Sequence, residues 1–420
     1  MQNAAFEGPL RSVVEAIDTR LDPSSESPIA VAFSGGGDSL ALLIATVSYA
    51  QRVGRRVVAL TVDHQLSPDS PGWTELARID AGKLGADWKG LVWAGQKPST
   101  GLPAAARRAR HTLIADAARD AGARVILFGH TADDVIEAIE MRASETPGLG
   151  IPQVWGASPV WPAGRGLVLF RPLLNTRRET LRSALRHHGM SWVDDPTNLD
   201  SRFARGRARL RLLGSTDIAL PNVETSSPDL LAFASGVSFS EWGEAHAEIE
   251  ALQALERPDR FRALGALLTC VSGAERPPRP KRIARLLDRL AIGTAGTVTL
   301  AGALVVLEDQ CFRVMREVGD ARSERPDATD VFDGRFLSNA VKDLDWLKGK
   351  MRKLDPEGRA QLRHIHPRQR PSLPVWQDGD GVVHLARNIG GNGPLVQSLA
   401  KARFCLACGV AQREGDLDAL

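Results

Sequence analysis

The chain has 420 residues, with 53 Lys and Arg against 50 Asp and Glu, so overall charge singles out no partner and any charge signal has to be local. Four cysteines (Cys270, Cys311, Cys405, Cys408) are too few for a disulfide framework in a chain long enough for two or three well-buried domains. The N-terminus lacks a basic start followed by an apolar core, and no apolar run approaches the roughly 20 residues of a bilayer span, so a soluble cytoplasmic protein with no membrane partner is expected.

Taken in chain order, the first half alternates short apolar runs with amphipathic helical patterns. That predicts an α/β fold, a doubly wound parallel sheet covered on both faces. Strands are expected at Ile29–Phe33, Val57–Val62, Trp88–Trp93, Val125–Phe128 and Leu167–Phe170, and helices at Leu40–Gln51, Thr74–Leu84, Ala104–Ala121 and Thr180–His188. Gly214–Pro228 loses periodicity and reads as a linker between an N-terminal domain, 1–213, and a C-terminal α+β region, 229–420. In that region Glu241–Leu255, Arg260–Leu268 and Lys281–Leu290 read as helices, and Thr297–Leu300, Ala303–Leu307 and Cys311–Met315 as strands. Glu317–Asp330 is a polar break, and Leu373–Gln377 and Val382–Ala386 flank the hairpin signal Asp378-Gly379-Asp380-Gly381.

The densest chemistry lies in IAVAFSGGGDS, Ile29 to Ser39. An apolar strand runs into a serine-glycine turn and then a helix whose apolar face is Leu40, Leu43, Ile44 and Val47. Gly35, Gly36 and Gly37 let the backbone bend and approach an anion, and the N–H groups at the helix start converge on it. Ser34 and Ser39 add hydroxyl donors, and Asp38 is a natural ligand for the Mg2+ that accompanies a nucleotide. With no Lys after the glycines, this is not the phosphate loop of ordinary ATPases.

Two further polar motifs fall at predicted strand ends, where open parallel sheets bind ligands. Asp63-His64 closes the second strand, and GHTADDVIEA, Gly129 to Ala138, follows the fourth. In the latter, Asp134 and Glu137 share a helix face, and Asp38 with Asp133 or Asp134 suggests a Mg2+ site. Alternatively, one of these carboxylates accepts a proton from an attacking amine. AAARRARH places Arg107 and Arg110 one turn apart, able to clamp phosphate or simply to face solvent. From Arg171 to Arg211 arginines far outnumber acids, the electrostatic footprint of a nucleic-acid backbone.

The order SGGGDS, VDHQL, AAARRARH, GHTADDVIEA, RPLLNTRRETLR and WVDDPTNLDSRFARGRAR resembles the bacterial tRNA(Ile)-lysidine synthetase family over about residues 29 to 211. The resemblance implies an adenine nucleotide α-hydrolase-like domain and a two-step ligation on the wobble cytidine of a tRNA(Ile) with CAU anticodon. ATP adenylates the oxygen on carbon 2, releasing pyrophosphate, and the ε-amine of L-lysine then displaces AMP to leave lysidine. By the same resemblance Ser34 through Ser39, Asp63 and His64 bind ATP, and Asp38 and Asp134 hold Mg2+. Arg107, Asp133, Asp134 and Glu137 shape the reaction site, and Arg171, Arg177, Arg178, Arg205 and Arg209 approach tRNA. A homodimer is compatible with it. The chain departs from the family pattern with Ser67 after D-H-x-L and His111 after Arg110. A tRNA thiolase is the nearest rival, but no cysteine precedes Cys270. A non-catalytic ATP-binding regulator is the alternative of a different kind.

Overall fold

The computed structural model describes residues 8–144, 152–194, 204–212, 226–293, 295–317, 319, 330–387 and 393–420, without the side chains of 142–144, 204 and 205. Most of the expected linker, the core of the 317–330 break and residues 195–203 of the Trp192–Arg209 motif lie outside the described residues. The chain forms two compact units. One comprises residues 1–160, 166–225 and 411–419, and the other 161–165, 226–410 and Leu420.

The first unit is built on a six-stranded sheet: β1 (Ile29–Ala32), β2 (Val57–Asp63), β3 (Asp87–Val92), β4 (Val125–Phe128), β5 (Trp155–Ala157) and β6 (Val168–Phe170), in the order β3-β2-β1-β4-β6-β5. Five strands run parallel, and β5 pairs antiparallel with β6 at the edge. β4 is buried at every position because helices cover both faces, and that is why it reads as an unbroken apolar run. The chain winds outward from β1 through β2 to β3, then crosses back to lay β4 on the other side of β1. The resulting switch in strand order opens a crevice at the carboxyl ends of β1 and β4, where the glycine turn and Gly129-His130 stand.

The helices of this unit are α1 (Pro9–Asp18), α2 (Gly37–Val53), α3 (Ser70–Leu84), α4 (Leu102–Asp120), α5 (Ala132–Ser144), α6 (Arg178–His187) and α7 (Ala204–Leu212). The sequence reading starts α2 at Leu40; in the structure it starts at Gly37, so Asp38 and Ser39 occupy its first turn. It also omits α1, although Leu10, Val13 and Ile17 form a buried stripe at helical spacing.

The C-terminal segment 411–419 completes this unit through a buried ion pair. Arg55 Nη1 and Nη2 meet Glu414 Oε2 and Oε1 at 2.7 and 2.8 Å, with side chains 2% and 1% exposed. Glu414→Ala is expected to destabilise the unit by about 3 kcal/mol, because it leaves a buried guanidinium without its carboxylate. Urea unfolding checks this, and a loss under about 1 kcal/mol would mean that the carbonyls of Ser27 and Asp22, which Arg55 also contacts, suffice.

The second unit contains α8 (Pro228–Gly236), α9 (Ile249–Ala254), α10 (Arg257–Ser272), α11 (Pro280–Ile292) and α13 (Ala400–Cys408), with the short α12 (Pro356–Gln361). Its main sheet is antiparallel, β7 (Ser238–Phe239), β8 (Ala245–Glu248), β9 (Gly296–Leu300), β10 (Ala303–Leu307) and β11 (Cys311–Arg316), in the order β7-β8-β11-β10-β9. Leu264, Leu267 and Leu268 of α10 and Phe404 of α13 pack in one core with Phe312 and Val314 of β11. Two three-stranded sheets follow, one containing the expected hairpin of Pro374–Gln377 and Val383–Leu385. The single helix expected over Glu241–Leu255 is corrected to a strand followed by a short helix. Ala245 and Ala247 turn inward and His246 and Glu248 outward, a period of two that overrides the helical propensity of the alanines and glutamates. No helix among the described residues is long and apolar enough to cross a membrane.

Candidate active site

After β1 the chain makes the serine-glycine turn and enters α2. Gly35 has φ +78, a left-handed conformation that glycine adopts without penalty. Ser39 Oγ donates to the Gly36 carbonyl (2.9 Å) and lies 3.1 Å from Ser34 Oγ, while Ser34 N donates back to it (3.2 Å). The two serines therefore hold the loop closed on itself. The N-cap of α2, Gly36, supplies no side-chain cap, so the first N–H groups of the helix remain available to an anion. From the far side Val193 N donates to Gly35 O (3.0 Å), and a Cβ on Gly37 would lie 3.2 Å from the Trp192 ring. Gly129 ends β4 against the first turn of α2, where a Cβ would come within 3.2 Å of the Asp38 carbonyl. Glycine there is a requirement of close packing.

These elements enclose a cavity of about 900 Å3. It gathers Ser34, Gly36, Gly37, Asp38 and Ser39 from the glycine turn, Asp63 and His64 from the end of β2, and His130, Asp133, Asp134 and Glu137 from α5 and the turn before it. Gly35 supports the turn without lining the cavity, and Arg107 sits on the exposed face of α4. Arg110, one turn further along α4, lines it instead.

The cavity floor is a network of carboxylates and arginines. Thr131, just before α5, donates N–H and Oγ1 to Asp134 Oδ2 at 2.6 and 3.0 Å, which leaves Asp134 Oδ1 turned toward Arg178 at 3.5 Å. Arg178 Nε donates to Asp38 Oδ2 (2.9 Å), its Nη1 to Glu137 Oε1 (3.4 Å), and its backbone N to Asp133 Oδ2 (2.7 Å). Arg209 Nε donates to the same Glu137 oxygen at 2.7 Å, and Arg177 approaches Asp133 at 3.4 Å. Burial opposes the Arg178 charge, but Asp134, Asp38 and Glu137 outweigh it and hold the guanidinium above its ordinary value. Asp38 goes the other way: burial raises its carboxyl above the ordinary range despite Arg178. Asp38 Oδ1 is buried and accepts no hydrogen bond from the described residues.

Two histidines around the cavity, His64 and His111, are pushed toward the neutral form. Burial, then Arg110, lowers His64, whose buried Nδ1 makes no hydrogen bond among the described residues and whose ring stands edge-on to Trp93. His111 stacks on Phe128 and is pushed down to about 2, chiefly by burial. His130 stacks on the same Phe128 ring, and its Nδ1 accepts from Arg171 Nε at 3.1 Å.

The arginine-rich stretch does not present one exposed face. Arg177, Arg178 and Arg209 line the cavity, and Arg171 is buried, bonded to His130 and the Gln153 carbonyl and lowered to about 10 by burial. Arg186, Arg207 and Arg211 are exposed, and the Arg205 side chain lies outside the described residues. A helix turns successive residues to different sides, so arginine density along the chain does not say which side carries the charge. The sequence reading also left Trp192 and Val193 without a role against the glycine turn; the signal available was their motif alone.

A glycine-loop nucleotide cleft at the switch point of a parallel sheet defines the class of PP-loop domains, and the family model described as "PP-loop domain" matches residues 9–216. The tRNA(Ile)-lysidine synthase of Caulobacter vibrioides is 45% identical, covering 96% of this chain and 99% of that protein. Those of Hyphomonas neptunium and Mesorhizobium japonicum are 35% and 34% identical, each covering 72% of this chain, and 83% and 70% of their own lengths. The chain belongs to the tRNA(Ile)-lysidine synthase family.

Proposed function

We propose that this protein uses ATP in the cytoplasm to ligate L-lysine to carbon 2 of the wobble cytidine of a tRNA(Ile) with CAU anticodon. The products are lysidine, AMP and pyrophosphate. The observation that carries this reading is the convergence of the glycine turn, Asp38, Asp134 and Glu137 on one cavity, in a chain matched over nearly its whole length by a lysidine synthase.

In this reading the N–H groups at the start of α2 hold the phosphates, and Asp63 and His64 bound the nucleoside end. The residues fit a Mg2+ ion: Asp38 Oδ1 is a buried carboxylate oxygen without a partner among the described residues, and Asp134 belongs to the same network. Asp38 and Asp134 would hold that ion, which would offset phosphate charge as pyrophosphate leaves. Oxygen 2 of the cytosine attacks the α-phosphorus, and the bond to pyrophosphate breaks. The lysine ε-ammonium then gives a proton to a cavity carboxylate, its free amine attacks carbon 2, and AMP departs with the oxygen. Arg178 and Arg209 fix the Glu137 carboxylate for orienting that ammonium, and Asp133 and Asp134 complete the acidic wall. Arg186, Arg207 and Arg211 offer exposed cations to the RNA backbone.

The test is incubation with ATP, Mg2+, labelled lysine and a CAU-anticodon tRNA(Ile). ATP-dependent label in that RNA, and none in a methionine tRNA of the same anticodon, is expected. RNA-dependent pyrophosphate release without label would assign another nucleophile, and ATP binding with neither signal would favour a regulator.

A further inference from the structure

The main sheet of the second unit carries a second group of chemistry-bearing side chains. β10 and β11 form a hairpin in which Glu308 N donates to Cys311 O at 2.9 Å, so these two residues face each other across Asp309-Gln310. The Cys311 thiol donates to Glu308 Oε2 at 3.1 Å. On its other edge β11 pairs with β8, placing His246 opposite Arg313 and Glu248 opposite Cys311. Alternation along the strands sends all four of these side chains to one face, since Ala245, Ala247, Phe312 and Val314 occupy the core face. One donor atom each from His246, Glu308 and Cys311 lies within 4.8 Å of the others.

We propose that His246, Glu308 and Cys311 form a zinc-binding site on the outer face of this sheet. An imidazole, a thiol and a carboxylate are the borderline-soft donor set that zinc selects, whereas Mg2+ and Ca2+ prefer oxygen alone. Tetrahedral zinc ligands stand about 3.5 Å apart, so side-chain adjustments of about 1 Å bring the three donors into place. The sheet already supplies their backbone positions. Arg313 supports the arrangement: its Nε donates to Glu308 Oε1 (2.9 Å) and its Nη1 to Glu244 (3.0 Å), which fixes the carboxylate and leaves Oε2 beside the thiol. Such outer contacts commonly orient zinc ligands. The His246 ring makes no hydrogen bond among the described residues, so neither nitrogen has to be released. On binding, Cys311 loses its thiol proton to solvent, and S–Zn and O–Zn bonds replace the S–H···O contact. Water or the exposed Glu248, opposite Cys311, takes the fourth position.

Titration of the full chain with Co2+ tests this. The expected result is one tetrahedral cobalt per chain with a thiolate-to-cobalt charge-transfer band in the near ultraviolet, displaced by Zn2+. The carboxylates of the ATP cavity provide only oxygen and cannot produce that band. Cys311→Ser should abolish it, and His246→Ala should weaken cobalt and zinc binding at least about tenfold. No charge-transfer band in the native chain, or one that survives Cys311→Ser, overturns the proposal. Where Cys311→Ser fails a circular-dichroism check of folding, His246→Ala and Glu308→Gln decide, and unchanged metal affinity in both overturns it equally.

Discussion

Asp38→Asn should lower tRNA-dependent pyrophosphate release by about a hundred- to a thousandfold while leaving nucleotide binding measurable. The amide keeps the shape and can still accept from Arg178 through its oxygen, so the change removes charge and little else. The glycine turn keeps its own supports, the Ser34–Ser39 contacts and the bond from Val193, none of which involves the Asp38 side chain. The same variant carries a stability signature. Burial raises the Asp38 carboxyl above its unfolded value, so the folded state binds that proton more tightly than the unfolded chain. Stability therefore falls as pH rises from the unfolded value through the raised one, and the penalty is fully present once pH exceeds the raised value. Asparagine escapes it, so the thermal midpoint at pH 7 should equal or exceed that of the native chain. Native rates of pyrophosphate release would remove Asp38 from the chemistry. A lower midpoint would show that attraction to Arg178 outweighs burial.

Arg178→Ala should cost about 3 kcal/mol in urea unfolding near neutral pH and should abolish turnover. Arg178 spans three carboxylates, so its removal takes an ion pair from Asp38, Asp134 and Glu137 together. The Asp38 carboxyl, already raised, then moves further up, so the loss should be larger at pH 8 than at pH 5. Added Mg2+ should restore more stability to this variant than to the native chain, because it offers a cation to the abandoned carboxylates. An equal loss at both pH values would show that Arg178 acts through packing rather than charge.

How much of this was legible beforehand depends on the range of the interaction concerned. β4 was read residue for residue, Val125–Phe128, because a fully buried strand is apolar at every position. Periodicity places the start of α2 at Leu40 because Gly37, Asp38 and Ser39 lack helical spacing; the helix begins at Gly37 because the turn and Gly129 fit it. β8 reads as helix in sequence because AHAE is rich in helix formers, and its pairing with β11 decides otherwise. Arginine density from Arg171 to Arg211 points to RNA without saying which side chains face it; only the packing of α6 on α2 and of α7 on α5 separates Arg178 and Arg209 from exposed Arg186 and Arg207.

By itself, the sequence determined the alternating α/β pattern, the glycine turn that can receive a phosphate, and the carboxylates at strand ends. Each of these rests on local rules: periodicity, the conformational freedom of glycine, and the polarity of short motifs. Only the tertiary structure decided which charges meet. It set Arg178 among Asp38, Asp134 and Glu137, turned Arg110 rather than Arg107 into the cavity, and brought Glu414 back to Arg55 across more than three hundred residues. The reason is physical: an ion pair depends on distance and burial in space, and neither quantity is encoded by separation along the chain.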